Sequence, residues 1–141
     1  MKKENGFSLV ELIIVVTIVG IISAFAVPGL RRARQNAQMG STIQSLRTIT
    51  TAQVLYERKI QTYGTLSQLA PEGSLDPNVA IGVKADYAFS LTVDSTGKKF
   101  SCIATPLADP LVRDHFFVDE TSVIRYNTGS TANSNSPPIP R

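Results

Sequence analysis

Cys102 and His115 are the two residues whose types could support nucleophilic catalysis, because a thiolate activated by an imidazole is a strong nucleophile. Cys102 alternates along a predicted strand on the same face as Phe100 and Ala104, which predicts a buried, small apolar residue. His115 stands beside two phenylalanines and Asp114, and a structural position explains it better than a general base. We therefore predict no catalytic residue and no enzyme activity.

The composition points away from several other classes of function. The chain has one cysteine and one histidine, which is too few for a site of several such metal ligands, so we predict no metal and no cofactor. Its net charge is +3, and the basic residues are scattered without interleaved aromatic residues, so nucleic acid is not indicated as a partner. A chain of 141 residues has room for one small domain beside an apolar N-terminal segment.

Glu11 is the residue whose position most needs a chemical explanation. It is the only charged residue between Phe7 and Val27, a segment that as a helix would span roughly 31 Å. That length matches a membrane hydrocarbon core of about 30 Å. A carboxylate at the centre of such a helix costs about 2.5 to 3.5 kcal/mol, and less near an end. Glu11 therefore either lies at the depth of the headgroups or has a partner of opposite charge.

A secretory signal peptide is a poor alternative for this segment. The apolar run is too long, contains an acid, and has only a weak candidate cleavage site in "SAFAVPG". Basic residues flank the run on both sides, with Lys2 and Lys3 before it and Arg31, Arg32 and Arg34 after it. Charge counting therefore leaves the topology open.

The stretch Gly6-Phe7-Ser8-Leu9-Val10-Glu11, followed by a long Ile/Val run, resembles the processing signature of the type IV pilins and pseudopilins. The resemblance implies that a prepilin peptidase cleaves between Gly6 and Phe7 at the cytoplasmic face of the inner membrane, and that the new N-terminal Phe7 is N-methylated. It also implies a single-pass inner-membrane protein with its leader in the cytoplasm, which afterwards enters a filament.

In that family, an acid at the position of Glu11 pairs with the Phe7 amine of a neighbouring subunit. The resemblance thus implies an assembly salt bridge between Glu11 and Phe7, and as partners further copies in a helical filament, the inner-membrane assembly machinery, and membrane lipid before assembly. Pairing opposite charges in a low-dielectric bundle removes much of the cost of burying each. A salt bridge between Glu11 and Phe7 of the same chain is an alternative.

Gly20 and Pro28 are predicted to weaken the backbone of the apolar helix. Glycine adds conformational freedom, and proline lacks an N–H, so Pro28 followed by Gly29 is expected to close or kink the helix. The resemblance implies that this stretch can lose helical structure in a filament. A tolerated glycine and an ordinary helix end explain the same residues.

After Gly29, apolar residues recur mostly at steps of three and four, which predicts an amphipathic helix to about Ile60, ended by a left-handed cap at Gly64. Its stripe consists of Leu30, Ala33, Ala37, Ile43, Leu46, Ile49, Ala52 and Tyr56. "YAFSLTV", "KKFSCIATPL" and "DHFFVDETSVIRYN" then predict an antiparallel sheet of three to four strands. The fold class is thus α+β, with a long N-terminal helix packed on a small sheet, as in the pilin fold.

The predicted organisation is a leader at 1–6, a membrane and filament-core helix at 7–30, an amphipathic helix at 31–61, and a globular head with a polar C-terminal tail at 62–141. The tail is expected to be disordered. It has no acid for the calcium loop of some pseudopilins, and the single cysteine cannot form the disulfide of many pilins. We interpret the chain as a type IV pilus subunit exposed at the cell surface. The alternatives are a pseudopilin of a type II secretion or DNA-uptake system, which would be periplasmic, and a membrane-anchored monomeric binding domain.

Overall fold

A computed structural model describes residues 6–72 and 75–140, and the chain divides into two compact units, residues 1–37 and 38–141. The predicted leader lies outside the described residues except for Gly6. Helix α1, Leu9–Ile60, is a single element of 52 residues that contributes to both units. The predicted α+β architecture is confirmed: a long N-terminal helix packs on an antiparallel sheet.

In the first unit, α1 continues through Pro28, so the expectation that proline would close the helix is wrong. Proline costs the helix one hydrogen bond to the preceding turn, and the flanking residues still form the rest of the ladder. The side chains of this unit from Gly6 to Arg34 are exposed, among them Phe25 at 80% and Leu30 at 72%. Leu30 therefore does not belong to a buried stripe, in contrast to the sequence expectation.

In the second unit, α1 buries one helical stripe against the rest of the head. The buried residues are Thr42, Ser45, Leu46, Ile49, Ala52 and Gln53. Their spacing of three and four residues places them on one face of the helix. Leu46, Ile49 and Ala52 pack in one hydrophobic cluster with sheet residues such as Phe89 and Val118.

Three polar members of this stripe were not predicted, and the side chain of each is hydrogen-bonded to a backbone group. The hydroxyls of Thr42 and Ser45 donate to the carbonyls of Gln38 and Ser41, both at 2.9 Å. Gln53 donates to the carbonyl of Gly64 at 2.7 Å and accepts from its N–H at 2.9 Å. Buried polar groups are tolerated when they are hydrogen-bonded in this way.

The end of α1 differs from the predicted glycine cap. Gln61 takes the left-handed conformation, with φ of 66°, and its N–H donates to the Glu57 carbonyl at 2.8 Å. Gly64 is required for a different reason, because a Cβ there would lie 2.9 Å from the ring of Tyr56. The glycine thus permits a close approach between the returning chain and the helix.

Two short helices and a turn connect α1 to the sheet. Helix α2 is Leu66–Leu69, a 3-10 turn follows at Ala70–Glu72, and α3 is Pro77–Ala80. The Asp76 carboxylate caps α3 by accepting from the Asn78 N–H at 2.8 Å, and this backbone hydrogen bond, with Lys84 nearby, lowers the pKa of Asp76.

The sheet is an antiparallel meander in the order β1-β2-β3-β4-β5. Its strands are β1 (Val83–Lys84), β2 (Tyr87–Val93), β3 (Phe100–Pro106), β4 (Asp114–Asp119) and β5 (Arg125–Thr128). Four of them lie in the segments where the sequence predicts strands. The fifth, β1, has two residues, too few for an alternating pattern to be visible in the sequence.

The C-terminal tail returns along β5, and the expectation of disorder is wrong for its described residues. The N–H of Tyr126 donates to the backbone carbonyl of Pro137, and the N–H of Ile139 donates to the backbone carbonyl of Ile124, both at 3.0 Å. Ala132 and Ser136 are buried. The tail therefore shields the edge of the sheet at β5, which would otherwise present unpaired backbone groups.

Candidate functional site

The candidate site is the start of α1, where Glu11 lies in the first turn. One carboxylate oxygen of Glu11 accepts a hydrogen bond from the Ser8 N–H at 2.9 Å, and the Ser8 hydroxyl accepts from the Val10 N–H at 3.3 Å. These bonds satisfy N–H groups that have no partner within the helix. A negative charge in the first turn is also favoured by the helix dipole.

This cap is a function of Glu11 that the sequence analysis missed, although the signal was present. Ser8-Leu9-Val10-Glu11 has the spacing of a capping box, in which an N-cap serine is followed three residues later by an acid. The structure thus gives Glu11 a partner within its own chain. That partner is a neutral N–H group and not a cation.

Gly6 and Phe7 directly precede this cap, where the sequence predicts cleavage. Phe7 is 76% exposed, and an added Cβ at Gly6 would meet no atom within 4 Å. In the uncleaved chain the Phe7 nitrogen is an amide, which carries no charge for Glu11 to pair with. Among the described residues, no ion pair or hydrogen bond joins Phe7 to Glu11.

The apolar surface that follows the cap is uncovered within the chain. The large side chains between Leu9 and Leu30 are 50% or more exposed. By length and composition alone, α1 is able to cross a membrane: its apolar window has a mean hydropathy of 2.7 and no buried residue. A surface of this size is typical of a segment that contacts lipid or other protein chains.

Gly20 and Pro28, the predicted helix-weakening residues, both lie within α1. A Cβ at Gly20 would meet no atom within 4 Å, so nothing in this chain requires a glycine there. The structure gives Pro28 a helical backbone. Whether these residues weaken the helix in a filament stays a prediction.

Cys102 and His115 lie on adjacent strands and each has a separate environment. Cys102 is fully buried in the core, and burial raises the pKa of its thiol to about 12, so it is protonated and inert near neutral pH. This confirms the prediction of a buried apolar residue. His115 is also buried, with Nε2 2.9 Å from the Pro110 carbonyl. Within the part of the chain that is described, no hydrogen bond joins the two side chains.

Comparison with known proteins adds two kinds of similarity. Residues 1–27 match the family model described as the prokaryotic N-terminal methylation motif. The chain is 31% identical to type II secretion system core protein G of Vibrio cholerae over 68 residues, which are 48% of this chain and 47% of that protein. It is 23% identical to the Klebsiella pneumoniae protein of the same name over 74% of this chain and 77% of the relative.

A second type of relative is a fimbrial protein of Pseudomonas aeruginosa, which is 36% identical over 52 residues, 37% of this chain and 34% of that protein. The matched region therefore spans about half the length of the Vibrio relative and a third of the fimbrial one. No solved structure matches the chain significantly.

Proposed function

Since the methylation motif, these relatives and the fold support the type IV pilin and pseudopilin family for this chain, we propose that it is a structural subunit of a helical filament. A prepilin peptidase cleaves it between Gly6 and Phe7, and Phe7 is then N-methylated. The observation that carries the proposal is the first unit of the chain. It combines a long, uncovered apolar helix with a single acid one turn beyond the cleavage site.

Removal of the leader changes the charge at the start of α1. Cleavage converts the Phe7 amide into an amine, which is positively charged near neutral pH. Glu11 then has a possible cationic partner that the uncleaved chain lacks. Its cap uses one carboxylate oxygen, which leaves the other free to accept a bond from the Phe7 amine of a neighbouring copy.

The same helix suits two successive environments. Before assembly, its apolar side chains are solvated by membrane lipid, and α1 satisfies its own backbone hydrogen bonds, as a membrane span must. After assembly, equivalent helices of other copies replace the lipid. We propose that the helix loses its regular backbone structure near Gly20 and Pro28 when protein contacts replace lipid.

The type of filament remains a choice between two candidates. The surface type IV pilus is the one the sequence analysis prefers, and the similarity to a fimbrial protein supports it. The pseudopilus of a type II secretion system is the second candidate. It is favoured by the greater extent of the match, because the Klebsiella and Escherichia coli core proteins G align over 108 and 102 residues.

Two measurements test this function. Mass spectrometry of the mature protein should find N-methylphenylalanine from Phe7 at the N-terminus. An intact Met1 on the membrane-embedded protein would instead favour a membrane-anchored monomeric binding domain. The chain should then be recovered among filaments sheared from cells if it forms a surface pilus. Its retention in the periplasm, together with loss of protein secretion on deletion, would identify a pseudopilin.

A further inference from the structure

The loop between β3 and β4 (residues 107–113) exposes three large apolar side chains within one short segment of the head. Leu111 is 81% exposed, Val112 71% and Leu107 55%. Single exposed aliphatic residues are ordinary on protein surfaces, but several within one short loop mark a contact site. The same loop carries an exposed acid, Asp109, whose carboxylate forms no hydrogen bond or ion pair with any described residue.

Backbone hydrogen bonds hold this loop in a fixed conformation. The N–H of Leu107 donates to the backbone carbonyl of Asp86 at 2.9 Å. The N–H groups of Val112 and Arg113 donate to the backbone carbonyl of Asp109 at 3.1 and 3.2 Å. Gly129, with φ of +75°, packs so closely that a Cβ would lie 2.5 Å from the Leu111 carbonyl oxygen. The loop is thereby ordered before any partner binds, which lowers the entropic cost of binding.

Arg113 anchors the end of the loop to three parts of the head. It is 6% exposed, and its guanidinium forms an ion pair with Asp86 at 2.6 Å and a hydrogen bond to Gln38 at 3.1 Å. It also lies over the ring of Tyr87, 4.9 Å from the centroid. A buried, ion-paired arginine resists displacement, because breaking such a pair leaves an uncompensated charge. Leu111 and Val112 therefore project from a rigid support.

A groove elsewhere on the head has complementary properties. It has a volume of about 360 Å³ and is lined by Arg47, Thr50, Thr51, Val54, Ser122 and Ile124. Arg47 is its only charged lining residue and is exposed, and among the described residues it forms no ion pair. The groove lining thus combines two apolar side chains (Val54 and Ile124), three small hydroxyl side chains and one positive charge.

The charges of the loop select among its possible partners. Lipid surfaces of biological membranes are commonly anionic and attract basic segments. The exposed part of the loop, residues 107–112, contains one acid and no base, and Arg113 at its end is buried and paired with Asp86. A second groove also borders Arg47, but it includes Asp114, which would repel an acidic loop. The groove defined above places Arg47 where it can meet Asp109 of another copy.

We propose that the β3–β4 loop of one subunit docks in the Arg47 groove of a second copy of this chain, with Leu111 and Val112 against the apolar lining residues and Asp109 paired with Arg47. The inference rests on the proposed filament function. Loop and groove are separate sets of residues, so the contact can be repeated head-to-tail from one copy to the next. Contacts of this type generate open helical assemblies when the rotation does not close a ring.

A charge exchange tests the pairing in full-length chain expressed with its assembly machinery. Asp109→Arg and Arg47→Asp should each reduce the filament yield about tenfold or more, since each variant places like charges opposite one another. The double variant restores opposite charges and should recover most of the wild-type yield. Lys99→Asp, a reversal of an exposed head lysine outside the groove, is the control and should assemble normally.

The apolar part of the contact has its own matched pair. Leu111→Asn should lower the filament yield, whereas Ile81→Asn should not, although Ile81 is equally exposed at 78%. Thermal unfolding of each variant establishes that the head is folded.

Cross-linking tests the same contact directly. In filaments of the Val112→Cys/Thr51→Cys variant, a short bis-maleimide should link neighbouring copies into a ladder of oligomers on a denaturing gel. Replacing the Thr51 substitution by Ser95→Cys should remove the ladder. Cys102 is buried and does not interfere.

The outcomes separate this contact from the proposed function. If wild-type chain never enters filaments, the filament function itself fails and the contact with it. If wild-type chain assembles but the double charge variant remains as defective as the single variants, or no ladder forms, only the docking contact is overturned. It is also overturned if Leu111→Asn releases unassembled chain from membranes without affecting assembly, because lipid would then be the partner.

Discussion

The two units of the chain share one helix and differ in where their stabilising contacts lie. Among the described residues, every buried side chain belongs to residues 38–140, and none to residues 6–37. In the head, α1 packs with the sheet in a continuous hydrophobic cluster. In the first unit, the same helix provides its own backbone hydrogen bonds, but its large apolar side chains are half or more exposed.

The head is therefore stabilised by burial of side chains within the chain, whereas the first unit is not. Full burial of a Val, Leu, Ile or Phe side chain contributes about 1.5 to 3 kcal/mol, and in the head that energy is gained on folding. In the first unit that energy is not gained within the chain, and under the proposed function it comes first from lipid and then from other subunits. Substitutions in the head should therefore change folding stability, and substitutions at the start of α1 should change assembly.

The largest expected effect comes from Glu11, which the proposed function pairs with a neighbouring subunit. We expect Glu11→Ala to be inserted and cleaved normally but to yield no filaments, because the Phe7 amine of the adjacent copy loses its counter-charge. Leader cleavage is followed by mass spectrometry and assembly by electron microscopy of the sheared fraction.

Glu11→Gln separates the charge of this residue from its role as a cap. A glutamine oxygen still accepts the Ser8 N–H, as capping boxes allow, but it cannot neutralise an amine. We expect the glutamine variant to fail in assembly as completely as the alanine variant. Normal filaments from Glu11→Gln would show that the cap, and not an intermolecular ion pair, is what assembly requires.

Leu46→Ala is expected to have the largest effect on the head. Leu46 is fully buried in the cluster, and truncation of such a residue costs about 2 to 5 kcal/mol. Its matched control is Leu12→Ala, which truncates the same side chain where it is 56% exposed and should leave head unfolding unchanged. Thermal unfolding in detergent, followed by circular dichroism, measures both. Equal losses of stability would contradict the division between the two units.

Much of the head could be predicted from the sequence because its strands are amphipathic. In "YAFSLTV" and "KKFSCIATPL", residues alternate between the core and the outer face, and the structure places β2 and β3 within those segments. What could not be predicted rests on interactions between distant residues. The order of the tail depends on hydrogen bonds to β5, and the polar composition of "TGSTANSNSPPIPR" contains no sign of them.

At the candidate site, the sequence pattern was informative about chemistry and less so about local structure. Gly6, Phe7 and Glu11 form a motif that a family model also matches. The cap between Ser8 and Glu11 was not predicted from the sequence, because the acid was interpreted as part of a membrane segment and not as part of a helix start. At Pro28, the local preference of proline was overridden by the helical residues on both sides.

Gln53 should have a smaller effect than Leu46, again confined to the head. Its side-chain amide makes both a donated and an accepted hydrogen bond with the Gly64 backbone, at 2.7 and 2.9 Å. Gln53→Leu would leave those buried backbone groups unpaired, at a cost of about 1 to 3 kcal/mol. Thr51→Leu, a substitution at an exposed position of the same helix, is the control and should unfold like wild type. A Gln53→Leu head as stable as wild type would show that this clamp contributes nothing.

The smallest effect is a pH dependence confined to the core of the head. Burial raises the pKa of Cys102 from 9.0 to about 12, so the unfolded chain loses the thiol proton at lower pH than the folded chain. Stability from this group is therefore fully present below pH 9 and declines as the pH rises from about 9 to 12, by at most about 1.4 kcal/mol per pH unit. Cys102→Ala should lack this component of the decline.

At pH 8.5, wild-type thiol should resist alkylation by iodoacetamide, whereas Cys102→Ala/Ser95→Cys, with its thiol in an exposed turn, should react readily. Rapid alkylation of folded wild type would mean that the core around Cys102 opens to solvent. It would contradict the conclusion that packing within the head is enough to stabilise it, in contrast to the apolar helix.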